Sequence, residues 1–87
     1  MGDIGDLGDR DRQLLDFERD WRAHAGRKEQ AINAALAISS ARYYQLLARL
    51  LDDPVALAYD PLTIRRLRRR RQIRQQRRAS LVEQQQR

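Results

Sequence analysis

At 87 residues, with 41% apolar side chains but only five aromatics, the chain has room for one small domain with a thin core, and added stability from a partner is expected. It holds no Cys and a single His, which rules out disulfide and thiolate-metal chemistry and makes a structural metal site improbable. No apolar run approaches the ~18 residues of a membrane span, and acids stand at the start where a signal peptide carries Lys or Arg, so a place in the reducing cytoplasm is expected.

The net charge of +6 hides an asymmetry. Residues 1–20 carry seven acids and three Arg, residues 21–60 are nearly balanced, and residues 61–87 hold ten Arg and one Glu. The basic end is therefore the expected interaction end. Of the 18 bases, 17 are Arg, a preference that suits phosphate recognition by a forked guanidinium and equally suits codon bias in a GC-rich genome.

In chain order, residues 1–10 form a Gly-Asp triplet repeat with little to bury, expected as a disordered acidic arm. A helical domain is expected over residues 11–67. Its first helix starts near Asp11, with Leu14, Phe17, Trp21 and Ala25 on one stripe widened by Leu15, and stops at Gly26. On that stripe Trp21 is expected to be the main core anchor rather than a base-stacking side chain, and His24 receives no site role.

The stretch EQAINAALAISSARYYQLLARLL, Glu29 to Leu51, reads as two helices and a tight turn. Ile32 and Leu36 are four apart, as are Tyr43 and Leu47, but the phase breaks at Ala37-Ile38-Ser39. Ser39 is a good N-cap for the helix that follows. A second helix over 27–35 and a third over 40–52 give the layout of a DNA-binding helix-turn-helix at about 28–51. Arg27 and Lys28 stand at the N-terminus of the second helix, where backbone N–H groups attract phosphate. The third helix buries Tyr43, Leu46, Leu47 and Leu50 in this reading. It leaves Ser40, Ala41, Arg42, Tyr44, Gln45 and Arg49 outward, with Ser39 at the cap. Arg42 suits guanine, Gln45 adenine, and Ser40 a base or phosphate; a merely solvated helix surface is the competing account.

Two Asp-Pro steps follow, Asp53-Pro54 and Asp60-Pro61, each an N-cap acid before a Pro at the first helical position. They predict a short helix over 54–58 and another from Pro61. Leu62, Ile64 and Leu67 anchor the start of that last helix. Residues 68–87 form an Arg-rich tail, either helical or disordered, that should fray or extend in isolation until an anion neutralises it. Its candidate DNA contacts are Arg65, Arg66, Arg68, Arg69, Arg70, Arg71 and Arg74; RNA is a further candidate ligand for such a tail. The tail lacks the apolar face that a membrane-surface helix needs. Leu57, Tyr59, Leu62 and Ile64 around the second Asp-Pro step suggest a homodimer face.

The run from Ile32 to Leu47 is similar to the bacterial helix-turn-helix pattern, with Ile32, Leu36, Ile38, Tyr43 and Leu46 on its core positions. It departs at Asn33, where a small residue usually packs, and at Ala37, where glycine usually makes the turn. The strings LLDFERDW, GRKEQAI and SSARYYQLLARLLDDPVALAYDPLTIRRLRRRR, covering roughly residues 14–71, resemble a family of small actinobacterial proteins classed as a domain of unknown function (DUF3263-like). Some of its members are described as nucleoid-associated DNA binders. The resemblance implies an all-α, small helix-turn-helix bundle of four to five helices that binds double-stranded DNA at the nucleoid, as a packaging protein or a transcriptional regulator. No Gly-rich phosphate loop, nucleophile elbow or His-containing cluster is present, so an enzyme is not expected and neither is a cofactor. A helical adaptor that binds another protein, such as part of the transcription machinery, is the alternative.

Overall fold

The computed structural model describes residues 6–21 and 26–85. Among them lie five helices and no strand: α1 (Asp9–Trp21), α2 (Lys28–Leu36), α3 (Ser40–Leu50), α4 (Pro54–Tyr59) and α5 (Pro61–Gln85). The protein is thus a small all-α bundle.

Local chemistry accounts for most of the helix ends. Asp9 and Asp11 place negative charge in the first turn of α1, where the helix dipole favours it. Ser39 Oγ accepts from the Arg42 backbone N–H at 3.1 Å and caps α3 as expected. Asp53 Oδ1 accepts from Val55 N–H at 2.9 Å, and Asp60 Oδ1 from Thr63 N–H at 3.2 Å, so each Asp-Pro step starts a helix. Gly26 has a φ of 127°, a conformation open to glycine at low cost. The expected end of α1 near it falls on residues 22–25, which with His24 and Ala25 lie outside the described residues.

α1 lies across the helix-turn-helix, packed on α2, α3 and α5, while α4 packs on α5. Leu14, Leu15, Ile32, Tyr43 and Ile64 are fully buried at the centre, with Leu36, Leu47, Leu50, Leu51, Ala56 and Leu67 around them. Phe17 meets the Tyr43 ring edge-on at 5.6 Å between centroids.

Three expectations change. Trp21 is not the main core anchor: it is the last described residue of α1, is partly buried and stacks on Phe17 at 5.8 Å, while Tyr43 takes the centre. The acidic arm is not free as far as residue 10. Leu7, only 8% exposed, joins the core, and α1 has begun by Asp9; residues 1–5 lie outside the described residues. The third change is the tail. α5 is one helix of 25 residues, about 37 Å at 1.5 Å per residue, in a molecule whose longest extent is 56 Å. Its first turns are fixed by Thr63, Ile64 and Leu67, which removes the nucleation cost. Beyond Pro61 it has neither Gly nor Pro, and Arg, Gln, Leu, Ala and Glu are strong helix formers. Propagation needs no packed face.

Candidate nucleic-acid interface

The turn between α2 and α3 closes without glycine. Ala37 takes the left-handed conformation, φ 56° and ψ 36°, and its N–H donates to Asn33 O at 2.9 Å. Asn33 Nδ2 in turn reaches the Ile38 carbonyl at a long 3.5 Å, so the polar residue in the small-residue position spans the turn.

α3 is then divided into faces. Tyr43, Leu47 and Leu50 point inward; Ala41, Arg42, Tyr44, Gln45 and Arg49 are exposed, and Ser40 is partly covered. Arg42 Nη1 lies 3.5 Å from Gln45 Oε1, which sets the two candidate base readers side by side, three residues apart. Tyr44 stands edge-on to Tyr43 at 5.1 Å and is 44% exposed.

Beneath this surface lies a residue that the sequence reading passed over. Glu18 is buried on α1, and its Oε1 accepts from the Tyr43 hydroxyl at 2.5 Å and from Lys28 Nζ at 2.7 Å. Arg66 Nη2 is 3.8 Å from Oε2 and donates to the Glu18 carbonyl at 3.4 Å. One carboxylate thus ties α1, α2, α3 and α5 together. Burial, and then the bond to Glu18, push the Tyr43 hydroxyl well above the usual phenol range, so it stays a donor. The signal for Glu18 was present in the sequence: it is four residues from Leu14 and three from Leu15, a carboxylate on an apolar stripe.

Apart from the partly covered Ser40, the expected contact residues fall into two groups. Arg27, Ser39, Arg42, Tyr44, Gln45, Arg49, Arg65, Arg69, Arg70 and Arg74 are exposed. Lys28, Arg66, Arg68 and Arg71 are partly covered and make contacts within the chain. Lys28 serves Glu18 and sits over the rings of Tyr43 and Tyr44 at 5.7 and 5.5 Å. Arg68 Nε donates to the Leu51 carbonyl at 2.6 Å, satisfying a group left open where α3 ends. Arg71 donates twice to Asp52, at 2.9 and 3.2 Å, which holds the Asp52 carboxyl below its usual range and raises the guanidinium above its own. Together Arg66, Arg68 and Arg71 fix α5 about its own axis and turn Arg65, Arg69, Arg70, Arg74, Arg77 and Arg78 outward.

The outward side of α5 flanks α3. Between them runs an open groove of about 580 Å³, with Tyr44 and Ala48 on the α3 side and Arg70, Arg74 and Arg77 on the α5 side. The expected dimer face is broken up: Ile64 is inside and Leu57 packs against the core, while Tyr59 donates to Asp16 at 2.8 Å and Leu62 is 78% exposed.

Among the described residues, no helix is long and apolar enough to cross a membrane, and no group of three or more His, Cys, Asp or Glu could hold a metal ion. No curated protein and no solved structure matches the chain. A family profile described as protein of unknown function (DUF3263) matches residues 6–79, most of the sequence and every helix but the last turns of α5, and the chain belongs to that family.

Proposed function

We propose that the protein binds double-stranded DNA, with α3 in the major groove and the outward Arg of α5 on the phosphate backbone. The observation that carries this reading is the alignment of two surfaces: the exposed Arg42, Gln45 and Arg49 of α3, and the Arg70, Arg74 and Arg77 edge of α5 that flanks α3 along one groove. Arg42 and Gln45 have the donor and acceptor patterns that read guanine and adenine edges, and the α5 guanidiniums supply contacts blind to sequence. The resemblance read in residues 14–71, to a family some of whose members are described as nucleoid-associated DNA binders, agrees with this reading and implies a packaging or regulatory role at the nucleoid. Lys28, Arg66, Arg68 and Arg71 act in it by holding the fold rather than by touching phosphate. Pairing of two copies would rest on Leu62 and on Tyr59, the exposed remainder of the expected dimer face.

The test is the salt dependence of duplex binding. Six outward Arg on α5 give a slope of log K against log salt of roughly −5 if all meet phosphates. Replacing Arg70, Arg74 and Arg77 by Gln flattens it by about 2.7, at about 0.9 per lost contact. Arg42→Ala should instead cost about 1–3 kcal/mol on a preferred duplex and little on a random one. An unchanged slope in the triple variant sinks the placement of α5.

A further inference from the structure

We propose that the groove between α3 and α5 is a docking site for an acidic, amphipathic helical segment of a partner protein. The floor is apolar: Leu47, Ala48, Leu51 and Leu67, with the Tyr44 ring at one rim. Leu47, Leu51 and Leu67 belong to the core cluster, so the floor is the edge of the core, left open where α5 runs past the body. Ala48, small and exposed, sets the depth available to an inserted side chain.

The wall has the opposite character. Arg70, Arg74 and Arg77 follow one another at spacings of four and three on a single face of α5, two turns or about 10 Å long. The one carboxylate lining the groove is Glu18, which is buried and already bonded to Tyr43 and Lys28. Apart from Ile73, and from Arg71 which Asp52 holds, the wall is positive and uncompensated by its own groove. A phosphate backbone can meet these guanidiniums along the rim but leaves the apolar floor uncovered. A second copy fits no better: on α1 the acids Asp9, Asp16 and Asp20 are paired with Arg12 and Arg19 and the apolar stripe is buried, and on α5 the exposed Leu81 and Val82 have a single acid, Glu83, beside them. A helix with apolar anchors at i, i+3, i+4 and i+7 and carboxylates along one flank meets both surfaces at once. This docking draws on the same three guanidiniums as the DNA reading, so peptide and duplex would compete for them, but it does not require α3 to enter DNA.

The experiment uses the full chain and a labelled synthetic peptide of about 14 residues, roughly 21 Å as a helix, with Leu on one stripe and Glu elsewhere. Fluorescence anisotropy gives its affinity, and amide spectra locate it. The amphipathic peptide should bind with shifts at Ala48 and Leu67, and a scrambled peptide or polyglutamate of equal length should bind at least about tenfold more weakly. Ala48→Lys separates the causes by sign. It blocks the apolar floor while adding positive charge, so groove docking weakens about tenfold or more, whereas charge attraction alone strengthens. Duplex affinity should hold or rise in the same variant, and circular dichroism should show the fold retained. Equal binding of polyglutamate, or unchanged peptide affinity in Ala48→Lys, overturns the proposal. So does a duplex that loses affinity in parallel with the peptide, which assigns the groove to nucleic acid. Shifts at Ala48 and Leu67 that grow with protein concentration alone would assign it to a second copy.

Discussion

Glu18→Gln removes a charge from the centre of the molecule while keeping its shape. The amide oxygen still accepts from the Tyr43 hydroxyl, so that buried donor is not orphaned. What is lost is the negative charge facing Lys28 at 2.7 Å and Arg66 at 3.8 Å. Breaking one half of a fully buried pair costs about 3–5 kcal/mol. Here the Lys28 and Arg66 side chains keep 21% and 16% of their exposure, so water recovers part of that, and about 2 kcal/mol is expected. For a domain of this size that is a fall in melting temperature of roughly 8–16 °C, readable by far-ultraviolet circular dichroism. Glu18→Leu combined with Lys28→Met, Tyr43→Phe and Arg66→Met removes the whole polar cluster and should recover most of the loss, since a matched apolar set is often as stable as a buried pair. A Glu18→Gln variant melting within about 2 °C of the parent would refute the argument that one carboxylate ties four helices, because 2 °C is less than about 0.5 kcal/mol.

Two further outcomes follow from local geometry. Ala37→Gly should stabilise the protein by about 0.5 kcal/mol, because relief of the left-handed conformation, roughly 1 kcal/mol, exceeds the added freedom of glycine in the unfolded chain; a lower urea midpoint would contradict it. The Asp52 carboxyl, held low by Arg71, contributes stability above the ordinary carboxylate range that disappears as pH falls through its folded value. Urea midpoints measured from neutral to acid pH should therefore drop less in Asp52→Asn than in the parent, and identical acid limbs would show that the pair contributes nothing.

The elements read correctly from the sequence are those set by neighbours in the chain. Ser39 caps α3 and each Asp-Pro step opens a helix because each arrangement is complete within four residues. The division of α3 into an inward Tyr43, Leu47 and Leu50 and an outward Arg42, Gln45 and Arg49 follows from spacing alone. The centre of the core did not. Trp21 and Tyr43 have equal claims by hydrophobicity, and the choice falls to Tyr43 because Glu18 across the helix pair satisfies its hydroxyl. The Arg run was read as one charge rather than as a helix with a phase. Arg68 is four residues beyond the buried Ile64, and Arg71 four beyond Leu67, so both follow the anchored side of α5; that register explains which guanidiniums turn inward. The sequence left the segment past Leu67 open between helix and disorder, because no apolar stripe continues there, and intrinsic propensity sufficed for the helix.

The overhang of α5 has a metric consequence. A disordered basic tail can search for phosphates in any direction and loses chain entropy when it finds them. The helix from Gln72 to Gln85 has met that ordering cost in folding, and the two bonds from Arg71 to Asp52, with that from Arg68 to Leu51, set its direction at the end of α3. It acts as a ruler roughly 21 Å long rather than as a tether. Any anionic surface that satisfies α3 and the outermost Arg together must present its charges at that separation, and lengthening or shortening the overhang by half a turn would swing Arg77 and Arg78 to the opposite side of the rod.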